Sequence, residues 1–195
     1  MSIHIPADPE VFFTAFFPEQ FTNHRDRYPV EDTRGAAVFE VFGAGSWNIR
    51  IQNGALQVAA GTPEDTLLKI GLSAEDFQTL FIERTQAEVH STGAISNDSI
   101  DAFRPLFIND RKRKVAENAR GTLAFSIKHD KSVHSLLITP GTEPHGQPRT
   151  TIRTHTKALL GLLSGRKKPT SLFMLGKLKV KGDVGYALRM SGLLR

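Results

Sequence analysis

The chain contains no cysteine. That excludes disulfides, thiolate metal sites and a cysteine nucleophile, and it fits a reducing compartment. No apolar run approaches the roughly 20 residues that a membrane span needs. The start carries no basic stretch followed by an apolar core, so no signal peptide is expected. The terminal Gly192-Leu193-Leu194-Arg195 is not a peroxisomal S-K-L address. The expectation is a soluble, cytoplasmic protein. Signatures of chemistry are missing too. There is no G-x-S-x-G elbow, and Gly165-Arg166-Lys167-Lys168 lacks the upstream spacing of a phosphate-binding loop. Gly43 and Gly45 lack the third glycine of a dinucleotide fingerprint. None of the seven histidines belongs to an H-E-x-x-H pattern or stands at helical metal-ligand spacing. His134 and His155 fall in predicted strands, where a cavity is within reach; a satisfied core or surface role is the plainer reading. No catalytic residue, metal ligand or cofactor is expected, and no enzymatic activity.

Carboxylates are scarce in one half. Residues 1–108 carry 7 Lys+Arg and 15 Asp+Glu, a balance of 7 − 15 = −8. Residues 109–195 carry 18 and 5, a balance of 18 − 5 = +13. The halves can attract each other, and the second can also meet an anionic partner such as a lipid surface, an acyl-CoA or a nucleic acid. The basic run Asn109 to Glu117 has no aromatic platform beside it, which disfavours nucleic acid. A solvated, polar joining helix is the expectation there.

At 39% hydrophobic and 23% charged, what remains is ordinary globular sequence. Asp8-Pro9 starts a helix, and Phe12, Phe13, Phe16, Phe17 and Phe21 give it a wide aromatic face. That face reads as core-facing, with a lid over a ligand as the alternative. His24 to Asp32, with Pro29, is a connection. Ala36 to Val41 is a strand. Trp47, Ile49 and Ile51 alternate with polar residues, and Asn53-Gly54 signals a hairpin to Ala55–Ala60. Thr66 to Leu72 is a fourth strand. Ser73 with Asp76 caps a helix whose apolar face is Phe77, Leu80 and Phe81.

The last segment is the most distinctive. Leu172-Phe173-Met174-Leu175 is an apolar patch. Lys177-Leu178-Lys179-Val180-Lys181 alternates as a strand, with Leu178 and Val180 inward. Asp183 caps a helix carrying Val184, Ala187 and Leu188, with Tyr186, Met190, Leu193 and Leu194 beside them. The run GKLKVKGDVGYALRMSGLL resembles the C-terminal signature of the sterol carrier protein type 2 family. Ser46 to Gly54 resembles that family's hairpin, and Asp65 to Ile70 with Ser73 to Phe77 its fourth strand and helix. The resemblance implies an α+β fold: a mainly antiparallel or mixed five-stranded sheet, covered by helices around an apolar cavity. It implies lipid binding or transfer (sterol, fatty acid or acyl-CoA), or a ligand-free interaction and dimerisation scaffold. The lipid-lining candidates it brings are Phe173, Met174, Leu178, Val180, Leu188, Met190, Leu193 and Leu194. Arg166, Lys167, Lys168 and Lys177 are the candidates for a head group or membrane surface, and otherwise keep the strand edge soluble.

The plan occurs twice. Gly121 to Ile127 resembles Gly35 to Val41, and His134 to Ile138 with Pro140-Gly141 matches the Trp47 strand and its turn. Thr150 to His155 matches the fourth strand, and Thr156 to Leu163 the helix after it. The expectation is a diverged tandem duplication, with one module at 1–108 and a second at 109–195. The second keeps the terminal signature and is the expected ligand holder. Implied partners are a lipid or fatty acyl ligand, an anionic membrane surface and, as a further option, a second copy in a homodimer.

Overall fold

The computed structural model describes residues 3–28 and 31–194. Pro29 of the first connection and Arg195 of the terminal tetrapeptide lie outside the described residues. Asp8 accepts hydrogen bonds from the amides of Glu10 and Val11 and caps α1 (Pro9–Val11). A π-helical segment, Phe12–Phe16, and α2 (Phe17–Asn23) continue it. All five phenylalanines of this stretch are buried, so the aromatic face turns inward. Strands β1 (Ala36–Phe42), β2 (Gly45–Gln52) and β3 (Ala55–Ala60) pair antiparallel, and β4 (Thr66–Ser73) returns parallel to β1. Asn53 and Gly54 both take positive φ, +51° and +73°, as a tight hairpin needs. Ser73 caps α3 (Ala74–Phe77), which runs through a second π-helical segment, Gln78–Glu83, into α4 (Arg84–Thr92).

Then come α5 (Asn97–Asp101), a 3-10 turn (Arg104–Leu106) and α6 (Asp110–Asn118). The second sheet segment holds β5 (Thr122–His129), β6 (Ser132–Pro140) and β7 (Pro148–His155). Helices α7 (Thr156–Leu163) and α8 (Pro169–Met174), strand β8 (Lys179–Gly182) and helix α9 (Val184–Met190) close the chain.

The strands of both halves form one eight-stranded mixed sheet, ordered β3-β2-β1-β4-β6-β5-β7-β8. The halves share a plan. In each, a strand pairs antiparallel with its hairpin partner and parallel with the strand after it. Each parallel pair even carries its register shift at the same place, Ala36/Ala37 and Thr122/Leu123. The expected five-stranded sheet is corrected: each half contributes four strands to the one sheet. In the first half, Gly93 to Ile95 forms no strand, and the free edge of β4 pairs with β6 instead. In the second, that pairing occupies the edge a third strand would use. Pro140, Pro144 and Pro148 also lack the amides such a strand needs.

The 108/109 boundary falls between buried Ile108 and Asn109, the cap of α6, and sheet and core run across it. Alternate residues of one sheet face, Phe39, Ile70, Phe125 and Ile138 among them, join Phe13, Phe77, Leu106 and Leu159 from the helices in one cluster. His134 Nδ1 meets Asp76 Oδ1 at 2.8 Å, a polar tie between the halves. The joining helix α6 is not simply solvated. Lys112 is only 4% exposed, and its ammonium donates to the carbonyls of Arg104 and Phe107. Burial, with Arg104 nearby, lowers its pKa to about 8. Helix α9 turns a different face inward from the one its spacing marked. Tyr186, Ala187 and Met190 are buried while Val184 and Leu188 face out, because the Tyr186 hydroxyl reaches in to donate to the Gly121 carbonyl.

Candidate functional site

A cavity of about 80 Å³ lies over the seam between the two halves. Its floor is the inner face of the sheet where β4 meets β6: Ile70, Leu136 and Ile138, flanked by Phe39 and Ile127. One wall is the N-terminal helix, through Phe12, Phe16 and Phe17. Leu80 and Phe81 of the second π segment form another, and Leu159, Leu160 and Leu163 of α7 a third. Ile100, Ala102, Phe103 and Leu106 close it over α5 and the turn after it. Both halves line this space, over one continuous sheet.

Both π-helical segments supply wall residues. A π turn carries one extra residue per turn, and such turns recur at functional sites. At the end of the second one, the Arg84 amide bonds the Thr79 carbonyl. The Leu80 carbonyl takes a hydrogen bond from Arg84 Nε at 2.8 Å.

Arg84 is the one cation among the described lining residues. Its side chain is 14% exposed. It donates to Ser99 Oγ at 2.9 Å and Thr85 Oγ1 at 3.0 Å, with Glu88 at 3.7 Å. Burial lowers its pKa, and Glu88 works the other way. Three of its five N–H groups are committed, which leaves two for a ligand. Arg84, Thr156 and Leu160 also line an outer polar cleft of about 460 Å³. Glu88, Asp98, Lys128, His129, His155 and Lys157 surround that cleft. These three residues therefore form a neck between an apolar interior and a charged vestibule. The arrangement sets apolar walls inside and one cation at the neck.

The residues marked on the terminal segment are scattered. Leu194 alone among them lines the cavity. Met190, Leu193 and Leu178 are packed in the core, and Val180 is half-buried. Phe173, Met174 and Leu188 project to solvent at 54%, 87% and 59% exposure. Arg166 is tied to Asp98 at 2.9 Å, and the Lys167 stem lies over Gly161. Lys168 is exposed, and Lys177 lines a trough with Lys128, Arg153 and Lys179 on the outer side of the sheet. His134 is buried against Asp76, and His155 stands in the outer cleft. Arg84, Thr85 and Ser99 carried one faint signal in the sequence: Arg84 is the single basic residue between Lys69 and Arg104, next to an apolar helix face. Among the described residues no helix is long and apolar enough to cross a membrane, and no group of His, Asp and Glu could hold a metal ion.

Residues 104–195 match the family described as the SCP-2 sterol transfer family. No curated protein matches the chain. Among solved structures, sterol carrier protein 2 from Yarrowia lipolytica in its apo form is 25% identical, with a TM-score of 0.37 over 44% of this chain and 74% of that one. The sterol carrier protein domain 2 of Helicoverpa armigera is 17% identical, with a TM-score of 0.35 over 70% and 92%. Sterol carrier protein 2 from Aedes aegypti, in complex with palmitate, is 12% identical, with a TM-score of 0.34 over 51% and 96%.

Proposed function

We propose that this chain, whose residues 104–195 carry the pattern of the SCP-2 sterol transfer family, is a non-enzymatic carrier of a single-chain anionic lipid. The acyl chain occupies the seam cavity and the head group meets Arg84. One observation carries this reading: a single, largely buried cation stands at the neck of an otherwise apolar space. A fatty acid suits it better than a sterol, because a carboxylate at the remaining N–H groups makes charged hydrogen bonds, whereas a neutral hydroxyl makes weaker ones to a guanidinium already facing Glu88 at 3.7 Å. Residues 1–108 and 109–195 are, in this reading, two copies that share one ligand rather than two carriers with one each.

The cavity, at about 80 Å³, is smaller than the roughly 300 Å³ at which ligand pockets begin. The walls must therefore part when a chain enters. The π segments support such a motion, because their ladder can shift by one residue. At about 0.8 kcal/mol per buried methylene, about ten methylenes match the roughly 8 kcal/mol of a micromolar complex, before the cost of opening. The small volume also favours a second reading, in which the fold is filled by its own side chains and serves as a ligand-free scaffold. Native mass spectrometry of purified protein and displacement of a fluorescent fatty acid separate the two. Arg84→Gln should weaken the fatty acid by about tenfold to a hundredfold and leave the matching fatty alcohol unchanged, as loss of a charged hydrogen bond predicts. If no lipid co-purifies and no fatty acid displaces the dye, the scaffold reading replaces the carrier one.

A further inference from the structure

We propose that Phe173, Met174 and Leu175, at the end of α8 and in the turn after it, form a docking tip that inserts into an anionic bilayer. Helix α8 buries only Leu172. The next three side chains are 54%, 87% and 71% exposed, large apolar groups side by side in water. They are held out by a defined turn. The amides of Lys177 and Leu178 both bond the Leu172 carbonyl, at 2.8 and 3.2 Å, and Gly176 supplies the positive φ of +66°. Consecutive exposed apolar side chains fixed in this way mark an interaction site.

The charge around the tip identifies the partner. No carboxylate side chain occurs between Glu143 and Asp183, while nine Lys and Arg do. Lys168, Lys177 and Lys179 flank the tip and are exposed. Lys177 and Lys179 also belong to the outer trough with Lys128 and Arg153. An apolar point inside a basic collar matches a bilayer with anionic head groups, where each basic side chain near the surface strengthens binding roughly fivefold. A nucleic acid would use the lysines and could stack one base on Phe173, but it gains nothing from Met174 and Leu175, the two most exposed groups of the tip, which neither hydrogen-bond nor stack. A second copy would bring like charges together.

The test is flotation of the full chain with phosphatidylcholine vesicles, with and without phosphatidylserine. The wild type should float with phosphatidylserine vesicles at low salt, bind phosphatidylcholine weakly, and detach as salt rises. Met174→Asp with Leu175→Asp replaces solvent-facing groups, so the melting temperature should not move, while flotation falls tenfold or more. Lys177→Gln with Lys179→Gln should weaken binding and flatten its salt dependence. Flotation that survives the double aspartate variant overturns the proposal, as does absence of flotation at low salt. A change in oligomeric state on Met174→Asp, with flotation intact, would make the tip a self-interface. Oligonucleotide binding that needs the lysines but ignores Met174, in a protein that does not float, would make the collar a nucleic-acid surface. Neither outcome depends on whether the seam cavity holds a lipid.

Discussion

Ala102→Leu is the perturbation that weighs the cavity most directly. Ala102 lies at the end of α5 in right-handed helical geometry and touches the cavity beside Phe103. Leucine fits this backbone and extends three carbons into the space. An unfilled cavity costs about 24 cal/mol per Å³, so about 80 Å³ corresponds to roughly 2 kcal/mol that filling can recover at most. For a chain of this size that is a rise of about 4–8 °C in melting temperature. The same side chain stands where an acyl chain would lie, so displacement of a fluorescent fatty acid should be lost. Thermal unfolding and the displacement titration, run on one preparation, read both effects. A close-packed site predicts the opposite: overpacking and a loss of about 1–3 kcal/mol. A variant that is destabilised and still binds would refute the cavity reasoning outright.

Two further outcomes follow. Met190 is fully buried in α9 and does not line the cavity, so Met190→Trp should cost roughly 1–3 kcal/mol and leave the affinity of the folded fraction unchanged; a stable variant with lost binding would return the terminal helix to the ligand site. Lys112 has a pKa of about 8 when folded, against 10.5 unfolded, so the unfolded chain holds more protons between those values and stability should rise with pH across that window. The gain has an upper bound of about 3 kcal/mol, and it should be absent from Lys112→Met in urea melts at stepped pH; parallel curves for the two proteins would sink the assignment.

Much of the local structure was determined by the sequence alone. Asp8, Ser73 and Asp183 stand as helix caps because a short acceptor side chain satisfies amides only a few residues away. Asn53-Gly54 makes its turn, and Trp47, Ile49 and Ile51 point inward, because turn chemistry and strand alternation need no distant partner. The repeated strand plan was legible for the same reason, and so was the family pattern of the terminal segment.

What tertiary structure decided is where edges and faces meet. No residue pattern announces that the free edge of β4 pairs with β6, since any unpaired strand edge offers the same amides and carbonyls. That pairing joins the strands of both halves into one sheet, and the cavity lies over the junction. The pairing also brings Arg84 of the first half to Thr156 and Leu160 of the second, which no periodicity links. The terminal segment shows the converse. Met174, Leu188 and Met190 are equally apolar in sequence, yet Met190 is buried while the other two face water. Burial depends on which neighbour arrives across the fold, and Lys112, charged and nearly enclosed between two carbonyls, owes its place to the same cause.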